Sequence, residues 1–233
     1  MEKYVKGSKV SYALGMSLSI EALKKRPGSV KEILLSSKCH KNRQFEQLEN
    51  LCHLHHVPMK IDDAAIASLS LKENCYAIAL FEIFASSIQE GDHLALVDFE
   101  SFGDLGTILR SAVSFDYHEV ALIGKHPDIF DPRCIRASMG ALFHLNFSEF
   151  PDVSSYVKAY PDHALYPFIS HGDAFEKLPF RSPYTLFFSE DYHGLESVFE
   201  KGYTLPHRHF EDIPLSSLSS IVLSEGYYRK RSR

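Results

Sequence analysis

The 233-residue sequence has no run of about eighteen apolar residues, so no segment reads as a membrane-spanning helix. It has no low-complexity segment and no internal repeat, which excludes a solenoid or a compositional tail. Its four cysteines (Cys39, Cys52, Cys75, Cys134) are scattered, with no Cys-x-x-Cys pair. They read as reduced thiols of a cytoplasmic protein. Met1-Glu2-Lys3-Tyr4-Val5-Lys6-Gly7 lacks the apolar stretch of a secretory signal, which leads to the same expectation. No Gly-x-Ser-x-Gly turn is present to anchor a hydrolase triad of that type. The histidines tempt a metal reading, at His53-Leu54-His55-His56 beside Cys52 and at His207-Arg208-His209. Neither cluster offers two separated ligand pairs, so no metal is expected.

Excess positive charge is also missing. Net charge is −5. Its distribution is uneven: residues 1–90 carry 12 Lys+Arg against 10 Asp+Glu, and residues 91–233 carry 13 against 20. The first stretch and the tail Arg229-Lys230-Arg231-Ser232-Arg233 are the two places where a polyanion could be met. A basic tail is more often a solvated helix end than a contact.

What is present is an ordinary hydrophobic content of 45%, enough for a sizeable core in one long domain or two. Apolar spacing predicts a helix over 8–26, ended by Pro27-Gly28. Val30–Leu35, 59–61 and 76–81 read as strands, with helices near 42–56 and 64–69, the latter capped by Asp62-Asp63. This is a small α/β domain over residues 1–85. Ser86-Ser87 and Gln89-Glu90-Gly91-Asp92 mark the boundary, and a second domain covers 92–233. There, strands at 93–99, 119–124, 141–147, 164–169 and 184–189 alternate with helices at 105–115, 131–138, 153–160 and 174–177. Such alternation implies a mainly parallel sheet covered by helices, with ligands at the carboxyl ends of the strands. A last helix spans 216–229.

Three stretches carry candidate chemistry. Gly103-Asp104-Leu105-Gly106-Thr107-Ile108-Leu109-Arg110 follows the apolar strand 93–99 and reads as a glycine turn opening a helix near Leu105. It is neither a P-loop nor Gly-x-Gly-x-x-Gly. Arg110 is either a reaction-centre cation or a structural partner of Asp104 or Asp116. Asp131-Pro132-Arg133-Cys134-Ile135-Arg136-Ala137-Ser138 sets two arginines on one helix edge, able to hold a phosphate or simply part of a capped helix. Ser189-Glu190-Asp191-Tyr192-His193-Gly194 follows another apolar strand and offers a carboxylate for a ligand or a helix cap.

Together these stretches resemble the SpoU (TrmH-like) branch of the SPOUT methyltransferases. Asp104-Leu105-Gly106 with Arg110-Ser111-Ala112 is similar to that family's first motif, and Arg136 through Phe143 to the run that follows it. Residues 184–195 are similar to the second motif, and Leu205-Pro206 with 216–231 to the third. Residues 5–35 are similar to the ribosomal-protein-like domain often fused ahead. The chain departs from the pattern at Asp104, where the family has asparagine, and at Phe188, where it has glycine. Gly194 stands one position late, and Leu215 replaces an asparagine.

The resemblance implies an α/β parallel sheet with a deep C-terminal trefoil knot, a homodimer, and S-adenosyl-L-methionine as cofactor. It implies methyl transfer to a ribose 2′-hydroxyl of tRNA or rRNA. Arg110, Glu190 and Asp104 fall at catalytic positions. Phe188, Ser189, Gly194, Leu205, Pro206 and Leu215 fall at cofactor positions, and Arg133, Arg136 and Ser138 are expected to meet RNA. The departures at Asp104, Phe188 and Leu215 leave a catalytically silent RNA-binding protein as the alternative. A nucleotide-binding Rossmann-type enzyme is a third reading, suggested by the glycine turn alone.

Overall fold

The computed structural model describes residues 3–70, 74–206 and 213–232, without the side chains of Tyr192 and His193. The chain divides into two compact units, Met1–Ala85 with Asp128–His144, and Ser86–Pro127 with Leu145–Arg233.

The first unit opens with β1 (Val10–Leu14) and α1 (Met16–Lys25), then β2 (Val30–Leu35), α2 (Arg43–His55), β3 (Met59–Ile61), α3 (Asp63–Leu69) and β4 (Ala77–Glu82). Its sheet runs β1-β4-β2-β3, antiparallel except for the β2–β3 pair. The helix expected over 8–26 is thus corrected to a strand followed by a helix. Ser11, Tyr12 and Ala13 are all buried, so β1 is covered on both faces and shows no alternation to betray it. Gly15, at φ 126, makes the break, in a backbone region that side chains avoid.

The second unit contains β5 (His93–Val97), α4 (Phe102–Ser114) and β6 (Glu119–Ile123). Asp128–His144 then supplies α5 (Pro132–Ala137) and a 3-10 turn at Ala141–His144 to the first unit. The second unit resumes with β7 (Asn146–Phe150), α6 (Val153–Ala159), β8 (Ala164–Ala174), β9 (Tyr184–Ser189), α7 (Tyr192–Glu196), β10 (Tyr203–Thr204) and α8 (Leu215–Arg231). Its six strands are all parallel, in the order β10-β8-β9-β5-β6-β7. That is the α/β parallel architecture expected from the alternation.

The strand expected over 141–147 is displaced. Met139 and Gly140 turn the chain at φ 52 and 83, and the Arg26 side chain donates to the Phe143 carbonyl (3.2 Å), where a strand would offer that oxygen to a neighbour. The helix expected over 174–177 is a 3-10 turn at the end of a longer β8. Helices α2, α3, α5 and α6 start where the sequence places caps. Asn42, Asp62, Asp131 and Asp152 each accept a first-turn N–H, a contact worth about 1 kcal/mol. The core of the second unit gathers Ala95, Ile123, Tyr156, Phe187 and Leu195 around the sheet. Burying a side chain such as Phe187 contributes roughly 1.5–3 kcal/mol.

Candidate active site at the carboxyl edge of the parallel sheet

Strands β5 and β9 are neighbours, with Val97 opposite Ser189. The loops after them therefore leave the sheet side by side. Glu190 uses both carboxylate oxygens there, accepting from the Glu100 N–H (3.0 Å) and the Ser101 N–H (3.2 Å). Ser101 then caps α4, its hydroxyl accepting from the Asp104 N–H (3.1 Å). On the other side of β5, Asp98 sits at φ 50 and accepts from the Lys125 N–H (2.9 Å). Glu190 and Asp98 thus fix the loop that launches α4 from two directions. Sequence reasoning missed Asp98 and Ser101. Ser101 three residues before Asp104 is the spacing of a helix cap and was the available signal.

The start of α4 differs from expectation. It begins at Phe102, so Gly103 and Gly106 lie inside the helix and no glycine turn presents free N–H groups. The sole basis for a Rossmann-type reading is thereby removed. Arg110 stands in the third turn, about 9 Å along the axis from Asp104. It is exposed, and among the described residues its guanidinium has no partner. Neither structural pairing envisaged for it exists: Asp116 is paired with His118 (3.0 Å). The next residue, Ser111, hydrogen-bonds Ser220 on α8 (2.8 Å), which locks the helix beneath Arg110. An unneutralised guanidinium on a helix pinned at its start and its middle can stabilise a developing oxyanion or hold a phosphate.

The remaining expected positions separate. Phe188 is fully buried and stacked on Phe168 (4.9 Å, 14°), so its ring belongs to the core. Ser189 is buried too, its hydroxyl accepting from the Asp191 N–H (3.1 Å). Gly194 lies in α7. Leu205 and Leu215 are half-buried and Pro206 is exposed. Arg133, Arg136 and Ser138 lie in the first unit. Arg133 is paired with Asp131 (2.7 Å), and the buried Ser138 hydroxyl donates to the Ile135 carbonyl (3.1 Å). Arg136 is exposed and has no partner among the described residues.

The basic tail is largely engaged within its own unit. Lys230 pairs with Asp92 (2.7 Å) and lies over the Tyr117 ring, while Arg229 pairs with Glu225 (2.6 Å) and donates to the Leu178 carbonyl (2.9 Å). Arg233 and His207-Arg208-His209 lie outside the described residues. Among the described residues no group of three His, Cys, Asp or Glu is placed to hold a metal. No described helix is long and apolar enough to cross a membrane. Burial pushes the Cys134 thiol up to about 12 and the Cys52 thiol up to about 11, which keeps both protonated.

Residues 92–204 match the family model described as SpoU rRNA Methylase family. This stretch is a SpoU-family domain. Solved structures show the same fold over nearly the whole chain. The AdoMet-bound rRNA methyltransferase from Sinorhizobium meliloti has 20% identity and a TM-score of 0.77, over 95% of this chain and 88% of that one. The SpoU methyltransferase AviRb from Streptomyces viridochromogenes, in complex with AdoMet, has 17% identity and a TM-score of 0.79, over 97% and 92%. A structure described as an RNA 2′-O ribose methyltransferase has 18% identity and a TM-score of 0.74, over 97% and 90%. No curated protein matches. The SpoU-family domain includes Asp104, Arg110 and Glu190, and also both arginines of α5. It ends at Thr204, so Leu205, Pro206, Leu215 and α8 lie beyond the matched residues.

Proposed function

We propose that this chain methylates RNA, transferring a methyl group from S-adenosyl-L-methionine to a ribose 2′-hydroxyl of tRNA or rRNA. The observation that carries the reading is the exposed Arg110, without a partner among the described residues, two turns into the helix that leaves the carboxyl edge of the parallel sheet of a SpoU-family domain. The methyl donor supplies a sulfonium methyl, and the residues available to hold it suit such a group. Leu205 and Leu215 offer half-buried apolar walls, and the loops at 98–101 and 189–191 offer main-chain carbonyls, their N–H groups at 98, 99, 100, 101 and 191 being engaged within the unit.

The ribose hydroxyl is a weak nucleophile and must lose its proton as its oxygen bonds the methyl carbon. Arg110 stabilises the negative charge that develops on that oxygen. Glu190 acts through the loop at 100–101, holding the start of α4 and with it the placement of Arg110. Asp104, on the first turn, faces the same loop from the helix side. The first unit, with Arg136, docks the RNA, and two copies of the chain assemble around a knotted C-terminal segment. Purified protein with labelled donor and total RNA should yield 2′-O-methylated nucleotides, and Arg110→Ala should lower their yield by about 10²–10³. Absence of label across tRNA and rRNA pools would sink the reading.

Phe188, at a family glycine position, favours one second reading: an RNA-binding protein that no longer methylates. Calorimetry with the donor separates the two, because micromolar binding contradicts a silent site.

A further inference from the structure

Arg136 stands at the rim of a cavity of about 250 Å³ in the first unit. Met16, Leu18 and Met139 give the cavity apolar walls, and Ser17 and Asn74 add polar groups. Three independent features meet there. Met139 is 51% exposed and held at φ 52, a conformation that costs a bulky side chain on the order of 1–3 kcal/mol. Arg136 has no partner among the described residues, in contrast to Arg133 one turn earlier. Helix α1, ten residues long, starts with no side-chain cap and no acid in its first turn, whereas α2, α3, α5 and α6 are all capped.

The walls and the donors demand different parts of one ligand. Methionine and leucine side chains suit a flat apolar ring, while a guanidinium beside open main-chain N–H groups suits an anion. A free phosphate would leave the apolar walls unused. The volume lies below the roughly 300–1,000 Å³ of pockets for drug-sized molecules, so it suits one ring system rather than a stacked pair. The frame is also set in advance. Cys134 and Ile135 are fully buried, and the Gly140 N–H and the Ser138 hydroxyl both donate to the Ile135 carbonyl.

We propose that this cavity receives a single unstacked nucleobase of RNA, with the adjoining phosphate held by Arg136. The proposal rests on the RNA reading above and names the feature of the RNA that the first unit recognises: an extruded base rather than a helical stem.

Fluorescence anisotropy of the full chain with three RNA hairpins tests this without any methyl donor. One hairpin carries a bulged nucleotide, one an abasic residue at the bulge, and one a fully paired stem. The bulged hairpin should bind about tenfold more tightly than the abasic one. Met139→Ala should erase that difference, and Arg136→Ala should lower the salt dependence by about one phosphate contact, with Arg136→Lys restoring it. Thermal melts of each variant verify the fold. Equal affinity of the unaltered chain for bulged and abasic hairpins overturns the proposal, as does undiminished preference in Met139→Ala. A chain that selects the bulge but never methylates supports the cavity and sinks the function proposed above. One that methylates without selecting the bulge sinks the cavity alone.

Discussion

The two edges of the six-stranded sheet are built from the same strands and do opposite things. At the amino edge the buried polar groups of the described residues answer one another. His93 is fully buried, with Nδ1 2.7 Å from the Tyr156 hydroxyl and Nε2 2.7 Å from the Gln89 carbonyl. The Tyr156 hydroxyl meets Thr185 (2.7 Å), and Thr185 meets His163 (2.9 Å). Since Nε2 must donate to the carbonyl, Nδ1 accepts from Tyr156, and the chain of donors runs in one direction from His163 to His93. Beside it Tyr117 and Tyr184 share a hydrogen bond (2.6 Å), and Asp92 holds Lys230, Ser182 and the Tyr184 N–H. At the carboxyl edge Glu190 and Asp98 tie loops to loops, and the helix that leaves this edge carries Arg110, exposed and with no partner among the described residues. One edge closes on itself and holds the fold, while the other keeps a charge available. Substitutions at the two edges should therefore fail in different ways.

The sharpest test is Arg110→Ala. It should lower methylation by about 10²–10³, the usual range for removing one charge-stabilising donor, with the melting temperature unchanged. Steady-state kinetics alongside calorimetric melting decides it, and a fall in melting temperature would erase the contrast between the edges. Asp92→Ala comes next, with the reverse signature. It leaves Lys230, Ser182 and the Tyr184 N–H without their acceptor and should cost about 2–3 kcal/mol in denaturant unfolding.

Gly226→Ala should cost less, roughly 1 kcal/mol. A methyl group there meets the Tyr117 hydroxyl and the Phe180 ring, and Tyr117 is held by Tyr184 and cannot yield. The gain in helix propensity, about 1 kcal/mol, offsets part of that strain. A Gly226→Ala variant more stable than the parent would show the amino edge to be loosely packed.

The smallest effect is on pH. Burial holds the His93 and His163 pKa values below the ordinary histidine value, with His93 adding to the effect on His163. The unfolded chain then binds more protons than the folded one below about pH 6.5, so stability should fall as pH drops from 7 through that value. The loss stops once the pH passes the depressed folded pKa values. Melting temperatures at pH 7 and pH 5 should differ by a few degrees, and His163→Gln should narrow the gap. An unchanged gap would remove His163 from this account.

The same contrast explains what the sequence made legible. Short apolar runs marked β5, β6 and β9 at their observed positions, because strands buried on both faces need nothing else, and β2 and β3 were placed between their turn signals although each has an exposed residue. Two helices announced themselves through the caps Asp62 and Asp131, which act within three residues, and Asn42 and Asp152 cap two more in the same way. What stayed hidden depends on partners far along the chain. β1 exists because β4 pairs with it some seventy residues later, and residues 141–144 miss the sheet where Arg26 takes the Phe143 carbonyl. At the site, Arg110 and Glu190 stood out by residue type and place. That Arg110 and Arg136 have no partner among the described residues, that Arg133 is paired, and that Glu190 holds residues 100–101 all required the fold.

The Asp92–Lys230 pair also bears on how the second unit responds to mechanical load. Asp92 precedes the first strand of that sheet and Lys230 lies in the last turn of the final helix, so the pair fastens the two ends of a segment nearly 140 residues long. Tension applied at those ends falls first on this clasp, across which the force is concentrated, before any strand is sheared. The first event under pulling is then the release of α8 from Tyr117 and Tyr184, with the six strands still paired.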